Sequence, residues 1–460
     1  TPWVDANKDN PAAIQNAERL VRGGLRQAAA QHTTNGRAAV AQAQTSSNPQ
    51  EQINLLSRAA NEYKLAGTGW QGYLKQDENA PDAYESRYWN ADARRNYVRI
   101  QVLLHNASPK TFNEPSKKDI DEALAAAIEV RDSNEDDKYL DNAALFVVDV
   151  SDIDRDLAYA RYKETGGTVG IEKREEVKFD GTDESTRNVV KDVIPPVVQQ
   201  SLNARDEFIH IVPPHLDPQK RGLDYEYFIA ETYFLYGQWD EATKRFDKMW
   251  KDNCGKNEYG FKAWERLVTM AAKARKEDEA LRLAEEEKKH TCAVTAEQST
   301  LAEKTTGPLS QEAAYVKARK KFEEACENKA GTPCKNPDAK EKRPKWKEAG
   351  ELYEAALAAA PARRDAPEGA MNAAFAYKQI GDYNKAIALY NKFINEYGSN
   401  EQLNALQKGD PKKEIAPNKE LYDERVKNLA LAYDTLSDTW ISFFNYPKAA
   451  ETNEKIAEIA

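Results

Sequence analysis

Along most of this 460-residue chain apolar residues recur every three to four positions, the spacing that lays an apolar stripe along one face of an α-helix. In the first half the stripe predicts helices over Ala12–Gln31, Glu51–Gln76, Asp82–Leu104, Lys117–Arg131 and Tyr139–Tyr162. It is lost between Gly166 and Arg187, a Gly- and charge-rich stretch whose GIEKREEVKF alternates instead; a short hairpin or excursion loop is expected there. Pro195, Pro196, Pro213, Pro214 and Pro218 then punctuate the approach to the second half, so a junction is placed at residues 165–200. The most apolar segment, Ala143–Val150, is far shorter than the roughly 18 apolar residues a transmembrane helix needs.

In the second half one pattern returns. AETYFLYGQWDEATKRF carries Tyr233, Gly237, Trp239, Ala242 and Phe246; AFAYKQIGDYNKAIALY carries Tyr377, Gly381, Tyr383, Ala386 and Tyr390, aligned without a gap. More degenerate copies run through Trp264, Leu267 and Ala280, then Trp346, Ala349, Tyr353, Ala356 and Pro361, and last Tyr446 and Ala449. The matching alanines Ala242, Ala280, Ala349, Ala386 and Ala449 are separated by 38, 69, 37 and 63 residues, close to one, two, one and two units of a helix-turn-helix repeat of roughly 34 residues. A small residue at the crossing point lets two antiparallel helices approach, and aromatics fill the space between successive pairs. In the two clear copies the glycine at the turn, Gly237 or Gly381, supplies the positive φ that ends the first helix.

These residues resemble the signature of the tetratricopeptide-repeat (TPR) superfamily, at Ala230, Tyr233, Gly237, Ala242 and Phe246 and again at Ala374, Tyr377, Gly381, Ala386, Tyr390 and Phe393. The resemblance covers about half the chain and implies an all-α fold, an α-solenoid of TPR-like repeats with one non-helical excursion. About eight to eleven helix pairs would fill the length. Three segments follow: divergent helical repeats over 1–165, an irregular excursion or hairpin with linker over 166–200, and a TPR-like array over 201–460. The resemblance further implies a concave wall, made mainly by the first helix of each pair, that binds other proteins. Carried onto the aligned repeats, its positions are Tyr227, Glu231 and Phe234, then Lys262 and Glu265, then Met371, Phe375 and Lys378. The Lys and Asn with which one branch of the family grips a C-terminal carboxylate are absent from the best repeat, where Met371 and Phe375 stand instead.

Charge and cysteines narrow the picture. A formal net charge of −10 argues against nucleic acid, whose phosphates demand a basic stripe. The basic run Lys335–Lys347 is broken by acids and prolines and reads as a solvated loop. Cys254, Cys292, Cys326 and Cys334 form no CxxC pair, and no histidine stands at zinc-finger spacing. Four cysteines at helix ends and loops fit two disulfides and an oxidising compartment. Three pairings are open; Cys254–Cys292 with Cys326–Cys334 is favoured over the others, and over four reduced thiols.

Candidate chemistry is thin. His32, His105, His210, His215 and His290 show no metal or triad spacing. GGTVG at Gly166–Gly170 lacks the Gly-Lys-Ser/Thr of a phosphate loop. Asp132, Asn134 and Asp136 imitate a calcium loop, but Asp137 and Ala143 occupy the positions that need Gly and a bidentate acid. Asp149, Asp152, Asp154 and Asp156 read as a solvated acidic face.

The expected function is therefore non-enzymatic, without cofactor or metal: a scaffold that binds other proteins in a multiprotein assembly. YLKQDENAPDAYESRYWNADA and KMWKDNCGKNEYGFKAWERL resemble divergent TPR proteins of Gram-negative envelopes, including those of myxobacterial-type motility or secretion complexes, which implies the periplasm and envelope-complex partners. A cytosolic adaptor for linear peptides and a helical enzyme acting on glycans are the alternatives. The start at Thr1 suggests a removed leader or an expressed fragment. The closing helix KAAETNEKIAEIA lacks a polar cap; Ile456 and Ile459 are expected to dock onto a partner, unless the native chain continues past Ala460.

Overall fold

A computed structural model describes residues 2–76, 78–133, 135, 137–180, 188–274, 276–330, 332–409 and 416–459. Among them the chain is all-α: helices follow one another and pack on their neighbours in sequence, and the only β-type pairing is one antiparallel bridge between Phe179 and Val189. Contacts divide the chain into two compact units, Thr1–Met249 and Trp250–Ala460. The expected junction segment, 166–200, lies inside the first.

The first unit comprises α1 (Pro2–Ala6), α2 (Pro11–Thr45), α3 (Pro49–Gln76), α4 (Ala83–Ala107), α5 (Lys117–Arg131), α6 (Leu140–Glu164), α7 (Pro196–Ile211), α8 (Arg221–Leu235) and the greater part of α9 (Trp239–Asn253). The five expected helices are present. The first of them runs on to Thr45, because its alanines continue the buried face through Ala39 and Ala43. Starts are capped locally: the Asn10 side chain accepts from the Ala13 N–H, and Ser116 and Asp119 form a reciprocal capping box at the head of α5. Small residues bring α2 and α3 together, with Ala29, Ala59 and Ala66 fully buried around Tyr63 and Trp70. Each such aromatic contributes roughly 1.5–3 kcal/mol by leaving water. Ile120, Val130, Phe146, Val148 and Phe208 continue the core through α5, α6 and α7.

The second unit holds α10 (Glu258–Lys273), α11 (Glu277–Lys289), α12 (Ala296–Cys326), α13 (Arg343–Ala359), α14 (Ala366–Ile380), α15 (Tyr383–Lys392), α16 (Asn400–Lys408), α17 (Lys419–Ser442) and α18 (Tyr446–Ile459). Its core packs Tyr315, Phe322, Trp346, Tyr353, Tyr377 and Tyr390 around alanines. All five repeat alanines, Ala242, Ala280, Ala349, Ala386 and Ala449, are buried, at most 4% exposed. The turn glycines take the expected positive φ, 69° at Gly237 and 82° at Gly381. At the aligned position of the last copy stands Phe444, with φ 57° and 80% of its surface exposed.

The favoured cysteine pairing is the one present, Cys254–Cys292 and Cys326–Cys334. The first ties the end of α9 to the residue run after α11, and the second closes a short loop below α12. The basic run is not wholly solvated: Lys342 is buried, donating to the Lys335 carbonyl and pairing with Glu327 at 3.3 Å. No helix among the described residues is long and apolar enough to cross a membrane. Of the calcium-loop imitation, Asn134 and Asp136 lie outside the described residues.

Candidate ligand pocket

The chemistry of the first unit gathers around α6. Its acids were expected to face water, and the structure corrects that reading for Asp149, Asp152 and Asp154, because basic side chains of other elements pair with them, while Asp156 stays exposed. One oxygen of Asp149 accepts from both Nε and Nη2 of Arg95 on α4, Asp154 is buried against Lys117 of α5 at 2.9 Å, and Asp156 pairs with Arg155 of its own helix. Asp152 holds Arg205 of α7 in a two-pronged pair at 2.7 and 2.6 Å and also accepts from Arg155 and Ser201. Such bidentate geometry fixes the guanidinium plane as well as its charge. Arg205 thereby sits over Phe228, its Cζ 4.1 Å from the ring centre, and near Tyr225 at 5.2 Å.

A strap formed by the described parts of the 166–194 segment closes the other side. It leaves α6 through Gly166, Gly167 and Gly170, all at positive φ. A Cβ on Gly170 would collide with the Ala158 carbonyl. The strap returns to α8, where the Asp192 N–H donates to the Tyr236 carbonyl at 2.9 Å and Gln238 donates to the Asp192 carbonyl at 3.0 Å. Arg174 spans the strap to pair with Asp192 and lies over Tyr236. The excursion predicted from sequence is thus a wall fastened to the turn between α8 and α9.

Between strap, α6, α7 and α8 lies a cavity of about 630 Å³, lined by Arg155, Tyr159, Lys173, Arg174, Arg205, Tyr225, Tyr227, Phe228, Glu231 and Tyr236 among others. Burial raises the hydroxyl pKa of Tyr159, and pushes those of Tyr225 and Tyr236 up to about 12. At neutral pH all three hydroxyls stay protonated, polar groups on aromatic plates. The pocket is equipped to hold a ligand by stacking and hydrogen bonding.

Two of the expected wall residues, Tyr227 and Glu231, line this cavity. Phe234 is buried and stacked on Trp239. In the second unit, Lys262 pairs with Glu258 on its own helix at 2.8 Å, and Glu265 is half-buried. Met371 and Phe375 pack on the core, Phe375 against Phe322 and Trp346, and Lys378 pairs with Asp438 at 3.7 Å. On α18 Ile456 is half-buried, while the Ile459 side chain lies outside the described residues. Arg155, Arg174, Arg205, Tyr225 and Phe228 were missed in the sequence. A signal existed on α6, where Asp149 and Asp152 stand three residues apart and so share a face of a helix whose middle, Ala143–Val150, is otherwise apolar.

No family model matches the chain, and no curated protein matches it. Among solved structures it is similar to the TPR domain of P58(IPK), at 12% identity and a TM-score of 0.22 over 88% of this chain and 98% of that one. A human IFIT1 dimer with m7Gppp-AAAA is similar at 13% identity and a TM-score of 0.19, over 93% and 94% of the two chains. Yeast Tom70 is similar at 13% and 0.16, over 96% and 93%. The class rests on the chain's own helices: this is an all-α protein built of TPR-like helix-turn-helix repeats, carrying a strapped pocket in its first unit.

Proposed function

We propose that the protein is a non-enzymatic scaffold that binds segments of partner proteins, with the strapped pocket of the first unit as its principal binding site. The carrying observation is the cavity itself: aromatic plates and arginines held rigid by Asp152 and Asp192, beside two positions that family resemblance assigns to partner binding. Pre-positioned side chains of this kind lower the ordering cost of capturing a flexible segment. The expected wall positions of the second unit, Lys262, Glu265, Met371, Phe375 and Lys378, and the terminal Ile456 and Ile459, are proposed as secondary contacts.

The two disulfides support placing this scaffold in an oxidising compartment. We propose a cell-envelope assembly in the periplasm, with envelope-complex components as partners.

The test is quantitative capture from a native envelope extract, comparing the protein with a Tyr227→Ala, Leu235→Ala double variant of equal helicity. Partners retained by the first and lost by the second support the reading. Identical capture by both would remove the pocket from it.

A further inference from the structure

The two disulfides of the second unit share one feature and differ in another. In each, one cysteine is buried, Cys292 and Cys326, and the other, Cys254 and Cys334, keeps part of its surface in water. Among the described residues only the Cys254–Cys292 bridge has an acid beside its sulfurs: a carboxylate oxygen of Glu287 on α11 and both sulfurs lie within 4.8 Å of one another, a span that one water bridges. Glu287 is 3% exposed. One of its oxygens accepts from the Cys292 N–H at 2.9 Å, with the Ala293 N–H close by, and the other has no hydrogen-bond partner among the described residues. Burial favours the neutral carboxyl, which leaves the proton to the oxygen that accepts nothing. Trp250 on α9 adds a second donor, its indole N–H lying 3.1 Å from the Cys292 sulfur.

A disulfide exchanges when a thiolate attacks one sulfur and expels the other as a thiolate, faster where the leaving sulfur is better stabilised. A buried thiolate is costly unless it is hydrogen-bonded or takes up a proton. Cys254 is the side that a reagent approaches from water, and Cys292 is the side equipped to leave. We infer that the Cys254–Cys292 bridge is an exchange site for small thiols: an incoming thiolate bonds to the Cys254 sulfur, the bond to Cys292 breaks, and its electron pair goes to the Cys292 sulfur, where the Trp250 N–H stabilises it and the Glu287 carboxyl hands over its proton. The products are a mixed disulfide at Cys254, a Cys292 thiol and a Glu287 carboxylate. In reverse the carboxylate takes the proton back, and Cys292 expels the bound thiol as its thiolate. The incoming thiol is thereby oxidised and Cys292 reduced, with no further oxidant needed. This inference goes beyond the scaffold reading and does not rest on it.

The experiment incubates the oxidised full chain with reduced glutathione, traps free thiols with N-ethylmaleimide and follows both bridges by peptide mass mapping. Glutathione is expected on Cys254 and maleimide on Cys292. Glu287→Gln keeps the side-chain shape and the acceptor for the Cys292 N–H; it should slow this exchange about tenfold or more, while the Cys326–Cys334 bridge keeps its wild-type rate. Rates are also taken in sub-denaturing urea, because attack on the folded chain stays flat there, whereas reaction through unfolding climbs with the denaturant. Glutathione on Cys292, no exchange at the bridge, a rate that Glu287→Gln leaves unchanged, or a rate that climbs with urea would each overturn the inference. So would a slowing shared equally by both bridges, which would report stability and not proton transfer.

Discussion

The Val190 carbonyl sits directly over Gly237, so that a Cβ on this glycine would run into it. The same residue ends α8 with a φ of 69°. One glycine thus serves the helix turn and the seating of the strap that walls the pocket. Gly381, at the equivalent turn of α14 and α15, has a φ of 82° but nothing within 4 Å of its Cβ position.

This difference separates the two alanine variants. Gly381→Ala carries only the left-handed backbone cost, about 1–2 kcal/mol. Gly237→Ala adds the collision and should lose more, while also releasing the strap. Urea denaturation of the two variants, with proteolysis near residues 171–180 as a second readout, checks the order.

Phe444 occupies that turn position in the last copy, with its side chain mostly in water. Little packing repays the left-handed backbone, so Phe444→Gly is expected to stabilise the protein by about 1 kcal/mol. A lowered melting temperature would show that Phe444 makes a contact worth more than its strain.

Asp152→Ala strips the counter-charge from Arg205, which is buried. Breaking a buried pair on one side costs roughly 3–5 kcal/mol, far more than the 0–1 kcal/mol typical of a surface bridge. Chemical denaturation distinguishes these ranges. Had the acids of α6 been solvated, as the sequence suggested, the variant would be nearly silent.

Glu287 lies buried beside the Cys254–Cys292 bridge, its carboxylate accepting from the Cys292 N–H at 2.9 Å. Burial raises its pKa above the ordinary carboxylate value. The folded state therefore holds this proton more tightly than the unfolded chain. That stabilisation is complete below the unfolded pKa, about 4.3, and is lost as pH rises through the folded value. Glu62 has the opposite sign: its hydrogen bond with His32 lowers its pKa, so its contribution is present above the unfolded value and is lost in acid. Glu287→Gln should therefore match the wild type in acid and gain on it toward neutral pH, as read from denaturation midpoints across that interval.

Replacing both Cys254 and Cys292 by Ser should cost up to roughly 4 kcal/mol in a loop-entropy account, and both Cys326 and Cys334 up to roughly 2.5 kcal/mol. Mass measurement of protein taken directly from cells, before and after reduction, checks whether the bridges form there. Free thiols at all four positions would count against the periplasmic proposal.

The amphipathic spacing, the alanine at each helix crossing and the glycines at the two clearest turns, Gly237 and Gly381, are local requirements, and so they were legible in the chain: a helix needs its apolar stripe, and a crossing needs a small side chain, whatever lies beyond. The 31-residue α12 went unread because its apolar positions follow no single face and Pro308 interrupts it; its helix is held by the packing of Tyr315 and Phe322 on α13 and α14. Phe234 and Phe375 were expected on the concave wall; Trp239 stacks on the first, which is buried, while Phe322 and Trp346 pack against the second, which stays partly exposed. The pocket depended most on folding. Arg205 meets Asp152 across 53 residues and Arg95 meets Asp149 across 54, and the strap reaches Tyr236 from the far side of α7. By itself the sequence determined helix, turn and crossing, because those follow from side-chain shape and backbone freedom within a few residues. Only the tertiary structure decided which charges lose their water together, because desolvation depends on what other elements bring to the same place.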